Sequence, residues 1–370
     1  MQRIIISVTN DLVTDQRVKK ICESLLELNF EIVLIGRILP KSLRLERNYK
    51  TIRMHLLFNK GFLFYAEYNI RLFLKLLFLK KDILLANDLD TLLPNYLISK
   101  IFSKKLVYDS HELFTEVPEL TSNPIIRSFW LLIEKYIFPK LKNVYTVNYK
   151  IAEFYNEKYK IPVEIIRNIA PILQNRNIDL ALLKKIKGNQ KMLILQGSGI
   201  NMDRGSEEAV EMIQYLDNTI LCIIGSGDKF IKLKFLRTKF KLEDKVIIKS
   251  KLPYDELLEY TKIADLGLSL DKGTNLNYEY SLPNKIFDYI QCQIPILTSN
   301  REVIANLVSE NNIGFVTNTH NPKKLAQIIN DIFTDQELYD LYKENLKIAS
   351  KKYTWENEAK KLKEIYSNLK

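Results

Sequence analysis

Cysteine and histidine are scarce in this chain, with three of each among 370 residues. Cys22, Cys222 and Cys292 are far apart, so they cannot form the disulfide framework of a small secreted protein, and a reducing compartment suits them best. No two cysteines have the spacing of a metal site, and three histidines leave little for zinc. We therefore expect neither a bound metal nor another cofactor.

Glycine and proline are also sparse, at 11 each, which argues against long flexible linkers. The opening segment MQRIIISVTNDLVTDQRV has a short apolar run followed by acidic residues, which is unlike a signal peptide. A length of 370 residues with 46% hydrophobic residues predicts two folded domains. We expect a cytoplasmic protein, which either diffuses freely or attaches peripherally to the inner face of the membrane.

Acidic residues do not balance the basic ones: 44 Asp and Glu stand against 55 Lys and Arg, a net charge of +11. Such an excess favours an anionic partner. The lysines are spread out and no zinc-finger, helix-turn-helix or RNP pattern occurs, so we expect no nucleic acid. Phosphorylated ligands, an acidic membrane face and a surface that is merely well solvated all stay open.

Short apolar runs alternate with helical patterns along the whole chain. The expected strands cover residues 4–8, 31–35, 83–86, 106–108, 144–147 and 163–166, then 192–195, 220–224, 246–248, 266–270, 296–298 and 315–317. Most runs are continuous, as in parallel strands covered on both faces, which predicts a doubly wound α/β fold. The expected division is a first Rossmann-like domain at 1–172, a polar linker at 173–190, a second Rossmann-like domain at 191–350 and a C-terminal helix at 351–370.

Residues 61–81 form the most hydrophobic stretch, GFLFYAEYNIRLFLKLLFLKK. Glu67, Arg71 and Lys75 interrupt it at helical spacing, so it does not suit a membrane span. One interpretation is an interfacial helix whose basic residues Arg71, Lys75, Lys80 and Lys81 contact anionic headgroups. The other is a buried crossover helix of the first domain. The sequence does not choose between them.

Glycine-rich turns follow two strands of the second half. In ILQGSGINMDRGSEE, Gly197 and Gly199 allow close backbone approach, and a helix is expected to begin near Gly205 with Arg204 beside it. The turn at Gly225 and Gly227 falls on the same expected sheet edge. Together they predict a phosphate site. The third glycine of the dinucleotide fingerprint is missing, which disfavours a nicotinamide oxidoreductase.

The string NLNYEYSLPNKIFDYIQCQIPILTS adds a second set of candidates. Pro283 suits the first turn of a helix, which would aim the backbone amides around Ser281–Asn284 beyond the sheet. Lys285 lies near the start of that helix. Asp288, one turn further on, could accept hydrogen bonds from ribose hydroxyls.

These motifs resemble the retaining GT-B glycosyltransferases of glycosyltransferase family 4. DYIQCQIP aligns with the tail of the Glu-x7-Glu motif of that family, so Asp288 takes the place of the second glutamate. The first position is Tyr280, and Glu279 is out of register by one residue. Arg204-Gly205 matches the family's Lys-Gly element, and His111 in VYDSHELF stands where the family keeps a histidine near the transferred sugar.

The resemblance implies two Rossmann-like domains that face a central cleft, with the C-terminal helix packing back on the N-terminal domain. It implies transfer of a sugar from a UDP- or GDP-sugar to a glycan or lipid-linked saccharide with retention of configuration. The residues expected to act in catalysis are His111, Arg204 and Lys285. Those expected on the donor side are Gly197, Ser198, Gly199, Arg204, Gly205, Gly225, Tyr280, Ser281, Leu282, Asn284, Lys285 and Asp288. Those expected on the acceptor side are Asn10, Asp15, Arg17 and Asp88.

Two alternatives share the GT-B layout: a nucleotide-sugar 2-epimerase, and a non-catalytic partner subunit of a glycosyltransferase complex. The missing first carboxylate of the motif suits the second. Asp88-Leu89-Asp90 also fits the Asp-x-Asp pattern by which GT-A glycosyltransferases bind manganese. A two-Rossmann layout contradicts GT-A, so we expect Asp88 to act without a metal.

Overall fold

Two separate parallel sheets form the centres of two compact units. In a computed structural model, which describes residues 1–13, 15–40, 42–175 and 177–369, the first unit comprises Met1–Asn168 with Glu356–Lys370 and the second comprises Ile169–Trp355. The predicted α/β class with two Rossmann-like halves is confirmed.

The first sheet has the strand order β3-β2-β1-β4-β5-β6-β7 and the second has the order β10-β9-β8-β11-β12-β13. The strands of the first sheet are β1 Arg3–Asp11, β2 Glu31–Arg37, β3 Lys50–Met54, β4 Ile83–Asn87, β5 Lys105–Ser110, β6 Asn143–Thr146 and β7 Glu164–Ile165. Those of the second are β8 Lys191–Gly197, β9 Thr219–Gly225, β10 Val246–Ser250, β11 Leu266–Ser269, β12 Ile296–Ser299 and β13 Gly314–Thr317. Strand order reverses beside β1 and beside β8, so ligands are expected at the carboxyl ends of those strands and their neighbours.

Helices cover the faces of both sheets. Those of the first unit are α1 Gln16–Glu27, α2 Gly61–Phe78, α3 Leu89–Ile101, α4 Pro118–Thr121, α5 Pro124–Ile137 and α6 Tyr149–Tyr159. Those of the second are α7 Leu180–Ile186, α8 Ser206–Met212, α9 Phe230–Lys239, α10 Tyr254–Ile263, α11 Leu276–Glu279, α12 Lys285–Cys292, α13 Glu302–Glu310, α14 Pro322–Thr334 and α15 Gln336–Lys352. The closing helix is α16 Trp355–Ser367.

Strand β3 is the element that the sequence analysis missed. Its sequence KTIRM mixes charged and apolar residues, and four of its five side chains are partly or fully exposed. It pairs with β2 at the edge of the sheet, where one strand side needs no apolar cover. An edge strand of this kind lacks the continuous apolar run by which the inner strands were recognised.

The segment expected as a linker is largely part of the second unit. Asp179 caps α7 by accepting hydrogen bonds from the amides of Ala181 and Leu182. The apolar side of α7, through Leu182, Leu183 and Ile186, packs against the core of the second unit. The boundary between the units lies earlier than expected, at Asn168.

Helix α16 packs on the first unit, as the resemblance implied. Glu358, which is 3% exposed, accepts hydrogen bonds from the backbone amide and the guanidinium of Arg167 at 2.9 and 3.2 Å. The rings of Tyr366 and Phe30 meet edge to face at 6.2 Å. Lys363 binds Glu27 on α1.

Helix α2 has one buried face and one exposed apolar face, so each interpretation of residues 61–81 describes part of it. Phe64, Tyr68, Leu72 and Leu76 are buried at intervals of four residues and pack into the core of the first unit. On another side of the helix, Leu63, Ile70, Leu74 and Phe78 are between 50% and 83% exposed. No helix within the described ranges is long and apolar enough to cross a membrane.

Candidate functional site

The carboxyl edge of the second sheet brings together the glycine turns that the sequence singled out. The backbone of Ser226 donates to the carbonyl oxygen of Gly197 at 3.2 Å, and Ile200 donates to Ser226 at 2.8 Å, so the loops after β8 and β9 interlock. Gly225 has φ +152°, and a Cβ there would lie 1.8 Å from the Gly197 oxygen. Close backbone contact therefore requires glycine at Gly225, while Ser198 and Gly199 remain exposed.

Gly205 also needs to be glycine, but the helix after it differs from the expected anion site. Its φ is +71°, and a Cβ would lie 2.3 Å from the carbonyl oxygen of Leu270. Helix α8 has only seven residues, and its first turn carries Glu207 and Glu208. Glu208 already binds Lys272 at 2.5 Å. The phosphate site stays a prediction, and the acidic first turn of α8 favours contacts from side chains over contacts from the N-terminus of this helix.

Arg204 faces a buried carboxylate that the sequence analysis did not predict. Its Nη1 lies 3.2 Å from Oδ2 of Asp271, which follows β11, and its guanidinium lies 3.9 Å from the ring centre of Tyr278. Asp271 is 0% exposed, and neither of its oxygens has a hydrogen-bond partner of good geometry among the described residues. A buried carboxylate in this condition is costly unless cations surround it.

Lys285 is the second cation near Asp271. Burial lowers the pKa of Lys285, the charge of Asp271 opposes this shift, and the positive charge of Arg204 adds to it. Arg204, Lys285 and Asp271 therefore form one electrostatic group, which we call the Arg204 cluster. It has two cationic side chains that can bind phosphate oxygens and an internal carboxylate that offsets their mutual repulsion.

Asp288 lies at the same sheet edge but is already engaged. Its Oδ2 accepts a hydrogen bond from Gln196 Nε2 at 2.9 Å and its Oδ1 accepts one from the Tyr254 hydroxyl at 2.7 Å. Gln196 in turn accepts from Thr261 at 2.7 Å. The side chain is 7% exposed. Ribose recognition by Asp288 stays a prediction, and it would have to use the remaining lone pairs of this carboxylate.

The loop before α12 carries the other expected donor-side residues. Glu279 binds Arg301 at 2.5 Å, and Tyr280 follows as the C-cap of α11. The hydroxyl of Ser281 donates to the Tyr278 carbonyl oxygen at 3.0 Å. Leu282 packs against the core of the second unit, which gives it a structural role, whereas Asn284 is exposed at the start of α12.

At the carboxyl edge of the first sheet, His111 is bound on both sides. Its Nδ1 lies 3.0 Å from Oδ2 of Asp88 and its Nε2 lies 3.1 Å from Oδ2 of Asp109. Burial alone would lower the pKa of His111, but the two carboxylates together raise it well above its usual value. The raised pKa favours the imidazolium form, in which both nitrogens carry a proton and can donate to these carboxylates. The expected role of His111 near the transferred sugar stays a prediction, and both ring nitrogens already contact carboxylates.

Asp88 holds an unusual backbone conformation for a residue other than glycine. Its φ is 57° and its ψ is 167°, a region that costs free energy and is found mainly where the surroundings require it. Its backbone amide donates to the carbonyl oxygen of Asp109 at 2.9 Å, and its Oδ1 accepts from the His111 amide at 2.8 Å. The strained residue and His111 thus fix each other in place.

Two of the four expected acceptor-side residues take part in structural contacts, and their acceptor roles stay predictions. Arg17 is 3% exposed, and its guanidinium binds Asp109 at 2.6 Å and the Ile166 carbonyl oxygen at 2.9 Å, so it supports the His111 group from behind. Asp15 caps α1 by accepting from the Val18 amide at 3.0 Å. Asn10 is exposed and donates to Asp15 at 3.0 Å.

Asp90 is a further buried acid that the sequence analysis treated only as half of a chance motif. It is 6% exposed, and its Oδ2 accepts from the Thr9 hydroxyl at 2.6 Å. Burial and the nearby charge of Asp88 raise the pKa of Asp90 to about 7. Within the described residues, no group of three His, Cys, Asp or Glu side chains is arranged to hold a metal ion.

Known proteins resemble this chain both in sequence and in fold. A curated relative from Candida albicans, chitobiosyldiphosphodolichol beta-mannosyltransferase, is 27% identical over 300 residues, which are 74% of this chain and 64% of that relative. The alignment thus spans less than two thirds of the relative's length. A sucrose-phosphate synthase from Thermosynechococcus elongatus has TM-score 0.81 at 14% identity and covers 100% of this chain and 99% of its own.

Another solved structure, Anabaena HepE in complex with UDP-glucose, has TM-score 0.75 at 14% identity, with both chains covered completely. Because both structures are only 14% identical to this chain, their similarity shows a shared fold and nothing further. The family model described as "Glycosyl transferases group 1" matches residues 184–348, which lie within the second unit and include the whole Arg204 cluster. Residues 184–348 of this chain therefore match the group 1 glycosyltransferases.

Proposed function

We propose that this chain is a glycosyltransferase that moves a sugar from a UDP- or GDP-sugar to a lipid-linked saccharide or another glycan, with retention of configuration. The observation that carries the proposal is the Arg204 cluster, two cations at the switch point of a parallel sheet inside the segment that matches the family. Two cations at this place suit a nucleoside diphosphate better than a neutral ligand.

In this proposal Arg204 and Lys285 bind the diphosphate and stabilise the negative charge that develops on it as the sugar departs. The charge of Asp271 offsets the repulsion between the two cations before the donor arrives. Retention belongs to the proposal through the family resemblance. It would proceed by attack on the face that the leaving group vacates, with a diphosphate oxygen accepting the proton of the acceptor hydroxyl.

A lipid-linked acceptor is suggested by two observations. The name of the Candida albicans relative specifies a dolichol-diphosphate-linked chitobiose. The first unit also exposes many apolar side chains on two helices: Leu63, Ile70, Leu74 and Phe78 on α2, and Ile125, Phe129 and Leu132 on α5. The two helices are in contact through the rings of Phe62 and Phe129, whose centres are 6.1 Å apart. We propose that this apolar surface holds the protein at the inner face of the membrane.

The four basic residues expected at the membrane differ in their surroundings. Arg71 binds Glu67 at 2.6 Å and the His55 carbonyl oxygen at 2.8 Å, and Lys81 is buried and caps the end of α2. Lys81 is therefore engaged within the fold, whereas the Arg71 side chain is 41% exposed and Lys75 and Lys80 are exposed. The pair Ile70→Ser and Leu74→Ser should therefore reduce partition into phosphatidylglycerol vesicles at least about tenfold, since each exposed side chain can bury apolar area.

The matched control for the vesicle experiment is Ile231→Ser with Phe235→Ser, which removes two exposed apolar side chains at the same spacing from α9 in the second unit. This control should bind vesicles as the wild type does. Equal partition of all three proteins would refute the membrane contact.

The proposed activity is tested by screening UDP, GDP and their sugars for thermal stabilisation and then for slow donor hydrolysis. Lys285→Met should raise the Kd of the stabilising diphosphate about 10- to 100-fold, the equivalent of one charge-assisted hydrogen bond. Lys251→Met, at an exposed lysine of the same unit, should not. Nuclear magnetic resonance of the product anomer checks retention, and activity in excess chelator checks metal independence.

A second candidate is a non-catalytic partner subunit. It is favoured by Tyr280 at the first motif position and by the engagement of Glu279 with Arg301. Such a subunit would bind the nucleotide without hydrolysing any donor. Release of UDP or GDP by the purified wild type, absent from Lys285→Met, excludes it.

A further inference from the structure

A basic groove lies at the amino edge of the first sheet, on the side away from His111. It has a volume of about 320 Å³ and is formed by the end of α3, the starts of β5 and β6, and the turn before β6. Five lysines line it: Lys100, Lys104, Lys105, Lys140 and Lys142. Since β5 runs from Lys105 to Ser110, the groove and the His111 group are separated by the length of a strand, roughly 16 Å.

Few carboxylates compensate this charge. No acidic residue lines the groove, and among the described residues Lys104 has one carboxylate partner, Asp82 at 3.6 Å. Lys105 donates to the carbonyl oxygen of Leu369. Lys100, Lys140 and Lys142 are exposed and form no ion pair within the described residues.

Two of these lysines are positioned by aromatic rings. The Nζ of Lys140 lies 3.1 Å from the ring centre of Tyr136 and 5.9 Å from that of Tyr96, and the Nζ of Lys100 lies 5.4 Å from the ring centre of Tyr96. The rings attract the ammonium groups and restrict the long lysine side chains, which reduces the entropy that a ligand would have to overcome. The groove is thus a concentrated and partly preorganised positive site.

We propose that this groove binds a ligand with several phosphate charges. Each lysine offers three N–H donors and no acceptor, and phosphate oxygens offer acceptors only, so the chemistries match. Binding would relieve the repulsion among five ammonium groups in one groove. The ligand could be a free polyphosphate or a phosphate-bearing lipid headgroup, and the experiment separates the two. The proposal concerns the first unit and does not depend on the donor site.

The test compares the wild type with the triple variant Lys100→Gln, Lys140→Gln and Lys142→Gln. Its matched control is Lys184→Gln, Lys185→Gln and Lys234→Gln, which removes three exposed lysines from the second unit and changes the net charge equally. One arm is calorimetric titration with sodium tripolyphosphate at low salt. The other is cosedimentation with vesicles of phosphatidylcholine, either pure or with about 30% phosphatidylinositol phosphate. The added lipid makes the vesicle surface strongly anionic.

All substitutions are at exposed positions, and circular dichroism verifies the fold of each protein. We expect the groove variant to lose at least about tenfold in affinity and one binding equivalent, whereas the control keeps both. Loss in the tripolyphosphate arm identifies a free phosphate ligand, and loss confined to anionic vesicles identifies a headgroup. Equal losses in the two triple variants, or no binding by the wild type in either arm, would overturn the proposal. The single variant Lys142→Gln, whose lysine contacts no ring, repeats the test with the least structural change.

Discussion

Replacing Arg204 with alanine should destabilise the second unit because it leaves Asp271 buried with Lys285 as its remaining cationic neighbour. Nη1 of Arg204 and Oδ2 of Asp271 are 3.2 Å apart, so at an effective dielectric constant of about 20 their attraction is about 5 kcal/mol. Arg204 is 23% exposed, so solvent offsets part of this loss. We expect Arg204→Ala to lower the free energy of unfolding by about 2–3 kcal/mol.

Asp271→Asn in the same background removes the carboxylate that Arg204→Ala leaves uncompensated. The double variant should therefore be more stable than the sum of the single effects, with a coupling free energy of about 2 kcal/mol. The chain has two tryptophans, Trp130 in the first unit and Trp355 in the second. In a Trp130→Phe background, urea unfolding followed by fluorescence therefore reports the second unit. Single effects that add within about 0.5 kcal/mol would refute the proposed group.

Two further predictions concern the first unit. His111→Ala leaves Asp88 and Asp109 without the cation between them. In a Trp355→Phe background this change should lower the free energy of unfolding of the first unit by about 2–3 kcal/mol. It should also lower turnover, with no change in the affinity for the nucleoside diphosphate. Wild-type stability would show that the imidazolium is not held as described. Burial raises the pKa of Asp90 from 3.8 to about 7, so the folded chain keeps a proton that the unfolded chain releases, and this group makes stability fall as the pH rises from about 4 to 7. Asp90→Asn should make urea unfolding less dependent on pH across that interval, and an unchanged slope would contradict the shifted pKa.

The inner strands were predictable because each is a continuous apolar run that is buried on both sides. The ends of these strands also predicted where a site should lie, since the alternation of strands and helices implies parallel strands whose carboxyl ends share one edge. The positions of Gly205 and Gly225 were also predictable, because both glycines follow expected strands at turns that need close backbone contact. Their backbone conformations and close contacts exclude other residues.

Asp271 and Asp90 could not be recognised in the same way. An aspartate after a strand is usually solvated, and only the folded chain shows that these two carboxyl groups are almost completely buried. The partner of Arg17 is Asp109, 92 residues away, so no local pattern distinguishes this buried pair from a surface arginine. His111 was expected to act in catalysis, and the sequence did not predict that both of its nitrogens contact carboxylates.

The placement of α16 has a consequence for biosynthesis. The first unit combines residues 1–168, which leave the ribosome before the second unit, with residues from Glu356 onwards, and the whole second unit is encoded between them. At about 5–20 residues per second, the nascent first sheet waits roughly 10–40 s for the helix that buries Phe30 and binds Arg167. During that interval its apolar surface is open to chaperones and to other nascent chains. The second unit can meanwhile complete its core, so the order of synthesis and the order of completed folding run in opposite directions.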